Sequence, residues 1–339
     1  MTEQDSTLKK LPKLTIVMAV HDQALELQRN LPKLLSQDYA PGYTVVVVDE
    51  SSNDDTEDVL KQLKASYPHL YATYIPANSH YVSRRKLALT IGIKAAQTEW
   101  IIVSEADCYP ENEHWLSSLA ATLTGDCDVV CAYTPFCEGT KSRYAFMRMH
   151  TFWRQGRCPY RYDGSCMVLR KSVFMQRNGY LKNLAFLRGE YDFTVNDTAP
   201  ERTANVIVSP CLLQEEPSSK SWKNRQLFYM QHRSHLRRTF MHRLRFSLQQ
   251  ILLHAVYWAL LGAVVYASLQ QQPVFIAATA VLLLLVLTVH TLLLSRLTKR
   301  YGEHISWWKL AGLDLGQAWH YSYFWLRYKM TDKYDFVRK

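Results

Sequence analysis

Between Phe246 and Ser295 this chain carries no Asp, Glu, Lys or Arg. Gln270-Gln271-Gln272-Pro273 divides the stretch into two apolar runs, Leu248 to Leu269 and Val274 to Leu294. Each is about 20 residues, enough for a helix to cross the hydrocarbon core of a bilayer. The turn between them is short and uncharged, so residues 246–295 read as a transmembrane helical hairpin. A buried pair of core helices, or a hairpin dipping part-way, is the alternative that His254 and His290 keep open. Basic residues flank both sides. Lys220, Lys223, Arg225, Arg233, Arg237, Arg238, Arg243 and Arg245 precede the hairpin with no acid among them, and Arg296, Lys299 and Arg300 follow it. That bias places both ends in the cytoplasm, at an inner (cytoplasmic) membrane.

Charge elsewhere agrees with a lipid surface as partner. The 339 residues carry 40 Lys and Arg against 30 Asp and Glu, a net charge of +10. With the bases grouped around an apolar hairpin and no nucleic-acid motif in view, anionic membrane lipids are expected and nucleic acid is not. The last segment, 296–339, is basic and aromatic, with Trp307, Trp308, Trp319, Tyr321, Tyr323, Phe324, Trp325 and Tyr328. Trp and Tyr gather at membrane interfaces, so an interfacial helix over 304–328 is expected, with re-entry or a cover for the preceding domain as alternatives. Residues 1 to 13 are polar and charged, and no cleavable signal is expected.

The first half has a different pattern. Leu14 to Val20 is an apolar run closed by His21-Asp22, and Tyr43 to Val48 is a β-branched run closed by Asp49-Glu50-Ser51-Ser52-Asn53-Asp54-Asp55. Helical patterns follow each, Leu25 to Leu35 and Thr56 to Leu63. Strand, helix, strand, helix at this spacing predicts βαβ units and a parallel sheet. A third run, Trp100 to Val103, ends in Ser104-Glu105-Ala106-Asp107. Carboxylates spaced i, i+2 at a strand end can face one side and reach a hard cation, which takes one or two carboxylates plus substrate phosphates. A solvated acidic turn is the plainer reading of that pair alone. Ligands of open α/β sheets sit beyond the carboxyl ends of the strands, so Asp49, Glu105 and Asp107 are expected to share one crevice.

These motifs, in this order, resemble family-2 glycosyltransferases of the GT-A fold. "TIVMAVHDQ" is similar to the family's first strand and loop, "VVVVDESSNDDT" to its "VVDDGSTDGT", and "SRRKLALTIGIKAAQTEWIIVSEADCYP" to the helix and strand leading to its D-x-D. The resemblance covers roughly residues 12 to 216. It implies a GT-A catalytic domain over 13–217, after a tail at 1–12 and before a basic helical connector at 218–245. It implies a nucleotide-sugar donor, a UDP- or GDP-sugar, held near Val20, Asp49 and Glu50, with Asp49 on the base. It implies Mg²⁺ or Mn²⁺ on Asp107. Two positions depart from the pattern: Glu50 stands where a second Asp is common, and Glu105 where D-x-D has its first Asp. Glu105 is therefore expected at the ribose or at a metal-bound water.

Arg85 and Lys86 fall in the first turn of the helical stretch that follows Ser83. Cations are disfavoured there by the helix dipole unless an anion is near. The donor diphosphate is the anion the resemblance implies. The family's general base is implied within Gly189-Glu190-Tyr191-Asp192-Phe193, where Tyr191 splits the usual Glu-Asp pair. Asp192 is the favoured base, and Glu190 an orienting partner or the base itself. The acceptor is a hydroxyl of a glycan or a lipid-linked sugar. Asp163 to Leu169 reads as a turn and strand on the acceptor side.

Rival readings differ in class. A nucleotidyltransferase would carry a Gly-rich basic loop after the first strand, and Ala19-Val20-His21-Asp22-Gln23 has no glycine. A membrane scaffold that kept the fold and lost catalysis is compatible with the altered Glu105 and the split acidic motif. Seven cysteines without a C-x-x-C pair suit reduced thiols in the cytoplasm.

Overall fold

A computed structural model describes residues 11–76, 83–123, 125–156 and 158–331. The expected tail at 1–12 and the end of the segment 296–339 lie largely outside these residues. The contacts divide the chain into two compact units, one of residues 1–134 and 156–215 and one of 135–155 and 216–338. The segment 135–155, inside the range 13–217 expected for the catalytic domain, belongs to the second unit.

The first unit begins with strands β1 (Leu14–Val20), β2 (Tyr43–Asp49), β3 (Leu70–Tyr74) and β4 (Trp100–Ser104), joined through helices α1 (Ala24–Leu35), α2 (Thr56–Ser66) and α3 (Arg84–Ala95). Then come β5 (Cys108–Pro110), α4 (Trp115–Ala121) and β6 (Val129–Ala132); α5 (Ser142–Gln155) belongs to the second unit. β7 (Cys166–Arg170), α6 (Lys171–Gln176), α7 (Glu190–Asp197), β8 (Thr203–Val206) and β9 (Leu212–Gln214) complete the first. Seven strands form one sheet in the order β3-β2-β1-β4-β7-β6-β8. All are parallel except β7, which runs against β4 and β6. β5 and β9 pair separately, antiparallel.

The strands are continuous apolar runs because both faces are covered. Ile16, Met18, Val45, Val47 and Ile102 share one core with Leu27, Leu31 and Leu34 of α1 and Trp115 and Leu119 of α4. Helix α3 packs on the side of β1 and β2 that carries Val17 and Val48. Gly92 permits that approach, since a Cβ there would lie 2.5 Å from Val17 Cγ1 and 3.3 Å from Val48 Cγ2.

The chain adds β2 and β3 to one side of β1, then returns to place β4 on the other. That reversal falls between β1 and β4, and in open α/β sheets ligands bind beyond the carboxyl ends of the strands at such a point. Val20 is level with Asp49, and Met18 with Ser104. Glu105 and Asp107 thus follow the strand end at the reversal point.

The second unit holds α8 (Ser219–His232), α9 (Thr239–Leu269), α10 (Pro273–Arg300) and α11 (Trp307–Met330), together with α5. Tyr144 of α5 stacks on Trp222 of α8, ring centroids 4.2 Å apart. Helices α9 and α10 pack on each other and leave most apolar side chains outward, among them Leu252, Val265, Leu284 and Leu293. Their histidines and Tyr257 find partners within the unit. His290 Nε2 bonds Asp314 at 3.0 Å and its Nδ1 bonds the Tyr257 hydroxyl at 2.9 Å, while His254 Nδ1 lies 2.7 Å from the Gln250 carbonyl. Helix α11 buries Leu310, Ala311, Asp314, Gln317 and Phe324 and turns Trp307, Trp308, Trp319, Tyr323 and Trp325 outward.

Candidate active site

The loop after β2 is built by its own acids. Asp49, at the strand end, is buried; its Oδ1 accepts from the Ser52 N–H at 3.0 Å and the Ser52 hydroxyl at 2.5 Å. Asp54 accepts from the N–H groups of Ala24 and Thr56 at 3.0 and 3.1 Å, and from the Thr56 hydroxyl. It therefore serves the starts of both α1 and α2. Burial pushes the Asp54 carboxyl up, but these bonds outweigh it and hold the group low. Asp22 accepts from Asn53 N–H at 2.7 Å, which ties the β1 loop to the β2 loop. The Val20 carbonyl accepts from the N–H of Glu50 at 2.8 Å. Burial raises the pKa of Glu50 against the pull of Arg85.

Past β4, Glu105 and Asp107 divide. Glu105 Oε1 accepts from the Arg85 guanidinium and, at 2.6 Å, from the Tyr191 hydroxyl. Asp107 Oδ2 accepts from Gln214 Nε2 at 2.8 Å, and the Asp107 carbonyl accepts from Glu215 N–H. The β5–β9 pair, with Cys108 opposite Gln214, brings that amide to Asp107.

The basic first turn of α3 meets anions and carbonyls of its own chain. Arg85 is buried, with Nε 2.6 Å from Glu190 Oε1, Nη2 on Glu105 and Nη1 3.2 Å from the Ala19 carbonyl. Lys86 is fully buried and donates to the carbonyls of Asn183 and Phe186 at 2.7 and 2.6 Å. Ser83, the cap of α3, accepts from Lys86 N–H and donates to the Leu187 carbonyl at 2.8 Å. Two carboxylates of the chain itself thus lie beside this turn, and the turn grips residues 183–190. Burial lowers the Lys86 pKa to about 8.

Gly189, at φ 95°, turns the chain into α7. Glu190 and Asp192 occupy its first turn, and both are buried. Burial pushes the Glu190 carboxyl up, but Arg85 and then Arg188 outweigh it and hold the pKa at about 2. Glu190 Oε2 is buried with no hydrogen-bond partner. Asp192 Oδ1 accepts from Tyr162 N–H at 2.9 Å and lies 3.7 Å from Arg161 Nε. A Cβ on Gly164 would lie 2.2 Å from the Tyr162 hydroxyl, so the turn before β7 admits only glycine as it stands.

Glu105, Arg85 and Glu190 thus meet directly, with Tyr191 joined to them. Asp49, Val20 and Glu50 lie along the neighbouring strand ends, and Lys86 is directed into the 183–186 carbonyls. The part of Tyr191 was not legible, because it looked like an interruption of the acidic motif. Nor was that of Gln214, remote in sequence from Asp107. Among the described residues no three His, Cys, Asp or Glu side chains gather as a metal cage. A hard cation that brings phosphate and water ligands does not require one. Asp107 and the adjacent Gln214, whose buried Oε1 has no hydrogen-bond partner, offer oxygen donors of the right kind.

Residues 15–180 match the family described as Glycosyl transferase family 2. Glycosyltransferase AglE of Haloferax volcanii is 26% identical over 116 residues, 34% of this chain and 36% of that protein. The match therefore spans about a third of that relative's length. The mannosyltransferase PcManGT of Pyrobaculum calidifontis, solved with GDP-Man and Mn²⁺, superposes with a TM-score of 0.54 at 16% identity, over 93% of this chain and 88% of that one. That likeness is one of fold. The strand-end motifs at Asp49, Glu105 and Asp107 lie inside the matched residues, and residues 15–180, just under half of the chain, carry its likeness to glycosyl transferase family 2.

Proposed function

We propose that this chain is an inverting, metal-dependent glycosyltransferase. It moves a sugar from a nucleotide-sugar donor to a hydroxyl of a glycan or lipid-linked acceptor at the cytoplasmic face of a membrane. The observation that carries this reading is that Arg85 joins Glu105, just past β4, to Glu190 of α7 at the sheet's reversal point, with Asp49 ending β2 and Asp107 following β4 on the same strand ends.

In this reading the nucleoside lies across the ends of β1 and β2, at Val20 and Glu50, with Asp49 toward the base. Glu105 engages Arg85 and Tyr191 through Oε1 only, which leaves Oε2 for the ribose. Asp107 and Gln214 hold Mg²⁺ or Mn²⁺, which when bound offsets the charge of the departing diphosphate. The complex of PcManGT with GDP-Man and Mn²⁺ supports this class of donor and metal. Arg85 and Lys86, expected at the diphosphate, donate to carboxylates and carbonyls of the chain itself and serve as supports.

Asp192 is the base. It takes the proton of the acceptor hydroxyl as that oxygen attacks the anomeric carbon, and the nucleoside diphosphate leaves from the opposite face. Glu190, held near 2 and bound to Arg85, is too weak a base for that task.

Helices α9 and α10 span the bilayer. Their most apolar windows have mean hydropathies of 1.8 and 2.4 and are almost wholly exposed. Soluble core helices of that length would be buried.

The test is release of nucleoside diphosphate from a panel of UDP- and GDP-sugars by the detergent-solubilised chain with Mn²⁺. Release from at least one donor is expected. Release from none overturns the reading, and release of inorganic pyrophosphate from a nucleoside triphosphate supplied with a sugar 1-phosphate would instead favour a nucleotidyltransferase.

A further inference from the structure

Neither donor binding nor proton transfer uses Tyr191, the residue that splits the acidic motif of α7. Its hydroxyl donates to Glu105 Oε1 at 2.6 Å, the same oxygen that receives Arg85 Nη2. Its ring packs edge-on against Tyr162, centroids 5.8 Å apart. Arg85 meanwhile joins three segments besides its own helix: the Ala19 carbonyl of β1, Glu105 after β4 and Glu190 of α7. The Glu190 carboxylate and the Arg85 guanidinium are buried here, and the Glu105 carboxylate is partly buried beside them. Taking such charges out of water is costly, and apolar residues of similar volume often serve stability as well. What the charged arrangement adds is a unique register between the segments it joins. The segments are the end of β4 and the first turn of α7. Asp192 lies in that same turn, one residue beyond Tyr191, and is held from the other side by Tyr162 N–H.

We propose that Arg85, Glu105 and Tyr191 form a latch that fixes the first turn of α7 to the end of β4. Tyr191 and Arg85 are positioning residues for Asp192, and Glu105 is the post of the latch, not a metal ligand. The consequence for Asp192 rests on the glycosyltransferase reading. The latch itself does not.

Tyr191→Phe tests it, because it removes one hydroxyl and keeps the ring against Tyr162. Amide hydrogen exchange is followed on the full chain in lipid nanodiscs. Exchange over residues 190–195 should quicken by at least about 10-fold while β1 and β2 keep their protection. The effects of Glu105→Ala and Tyr191→Phe on that exchange should fall short of additive by more than about 2-fold, since both remove the same Tyr191–Glu105 bond. Unchanged exchange at 190–195, additive effects, or loss of protection throughout the sheet would each overturn the latch. In transfer assays Tyr191→Phe should lower kcat on the order of 10²-fold, the cost of a small misplacement of a catalytic group. Donor KM and Mn²⁺-dependent affinity for nucleoside diphosphate should stay within about 2-fold, because the hydroxyl touches neither. If Tyr191→Phe instead weakens that affinity as much as Asp107→Ala does, Glu105 belongs to the metal site and the latch is wrong. If no donor is turned over even by the unaltered chain, the glycosyltransferase reading falls, and exchange alone decides the latch.

Discussion

The Lys86 ammonium lies 2.6 Å from the Phe186 carbonyl and 2.7 Å from that of Asn183, at the bottom of a fully buried side chain. A cation at a helix start has thus become a strut under the segment that leads to α7. Its pKa is lowered to about 8, first by burial. The folded value lies below the unfolded one of about 10.4, so between the two the folded chain has released a proton that the unfolded chain retains. Stability of the first unit should therefore rise as pH climbs from 8 toward 10. The neutral amine still has two N–H groups for two carbonyls. Denaturant titrations across that range should show the rise in the unaltered chain and not in Lys86→Met.

Glu190 gives the opposite limb of the profile. Its folded pKa, about 2, lies below the usual carboxylate value because Arg85 and Arg188 outweigh burial. The stability it contributes is complete above about 4.3 and is lost as pH falls toward 2. Glu190→Gln should flatten that part of the acid limb in melts taken between pH 2 and 6. An acid limb of unchanged slope would remove the ion pair from the account.

Asp107 and Asp192 should separate by the step they affect. Asp107→Ala should abolish Mn²⁺-dependent binding of a nucleoside diphosphate, read by calorimetry. Asp192→Asn should bind it normally and transfer sugar at least about 100-fold more slowly. Equal loss of nucleotide binding in both variants would contradict the division into donor and acceptor sides.

Gly92→Ala should destabilise the first unit. The added methyl would lie 2.5 Å from Val17 Cγ1, a branched side chain inside the sheet core. Overpacking of this kind costs about 1–3 kcal/mol. A denaturant midpoint equal to that of the unaltered chain would show that Val17 yields freely.

The hairpin predicts how the protein partitions. It should stay with membranes through high-salt washing and leave with detergent, because apolar helices and not charge alone retain it. A label at Gln271 should be reached from the non-cytoplasmic side. A monodisperse full-length chain in salt without detergent would contradict the span.

Strands β1, β2 and β4, helices α1 to α3 and the uncharged hairpin were legible because each is a local pattern. A parallel strand covered on both faces is a continuous apolar run, and a membrane helix is a long one. Short strands were harder. β5 and β9 are three residues each, and their pairing joins positions about a hundred residues apart. That distant pairing is what sets Gln214 beside Asp107.

The sequence alone determined that acids end the first strands, that a basic turn opens α3 and that two apolar helices follow the family-2 domain. It did not determine which charges meet. Arg85 was equally suited to a diphosphate or to a carboxylate, since its guanidinium offers the same donors to both. Only the tertiary structure brings Glu105 and Glu190 to that one side chain, from positions 20 and 105 residues away. Pairing between charges depends on distance in space, and separation along the chain says nothing of that distance until the sheet order is known.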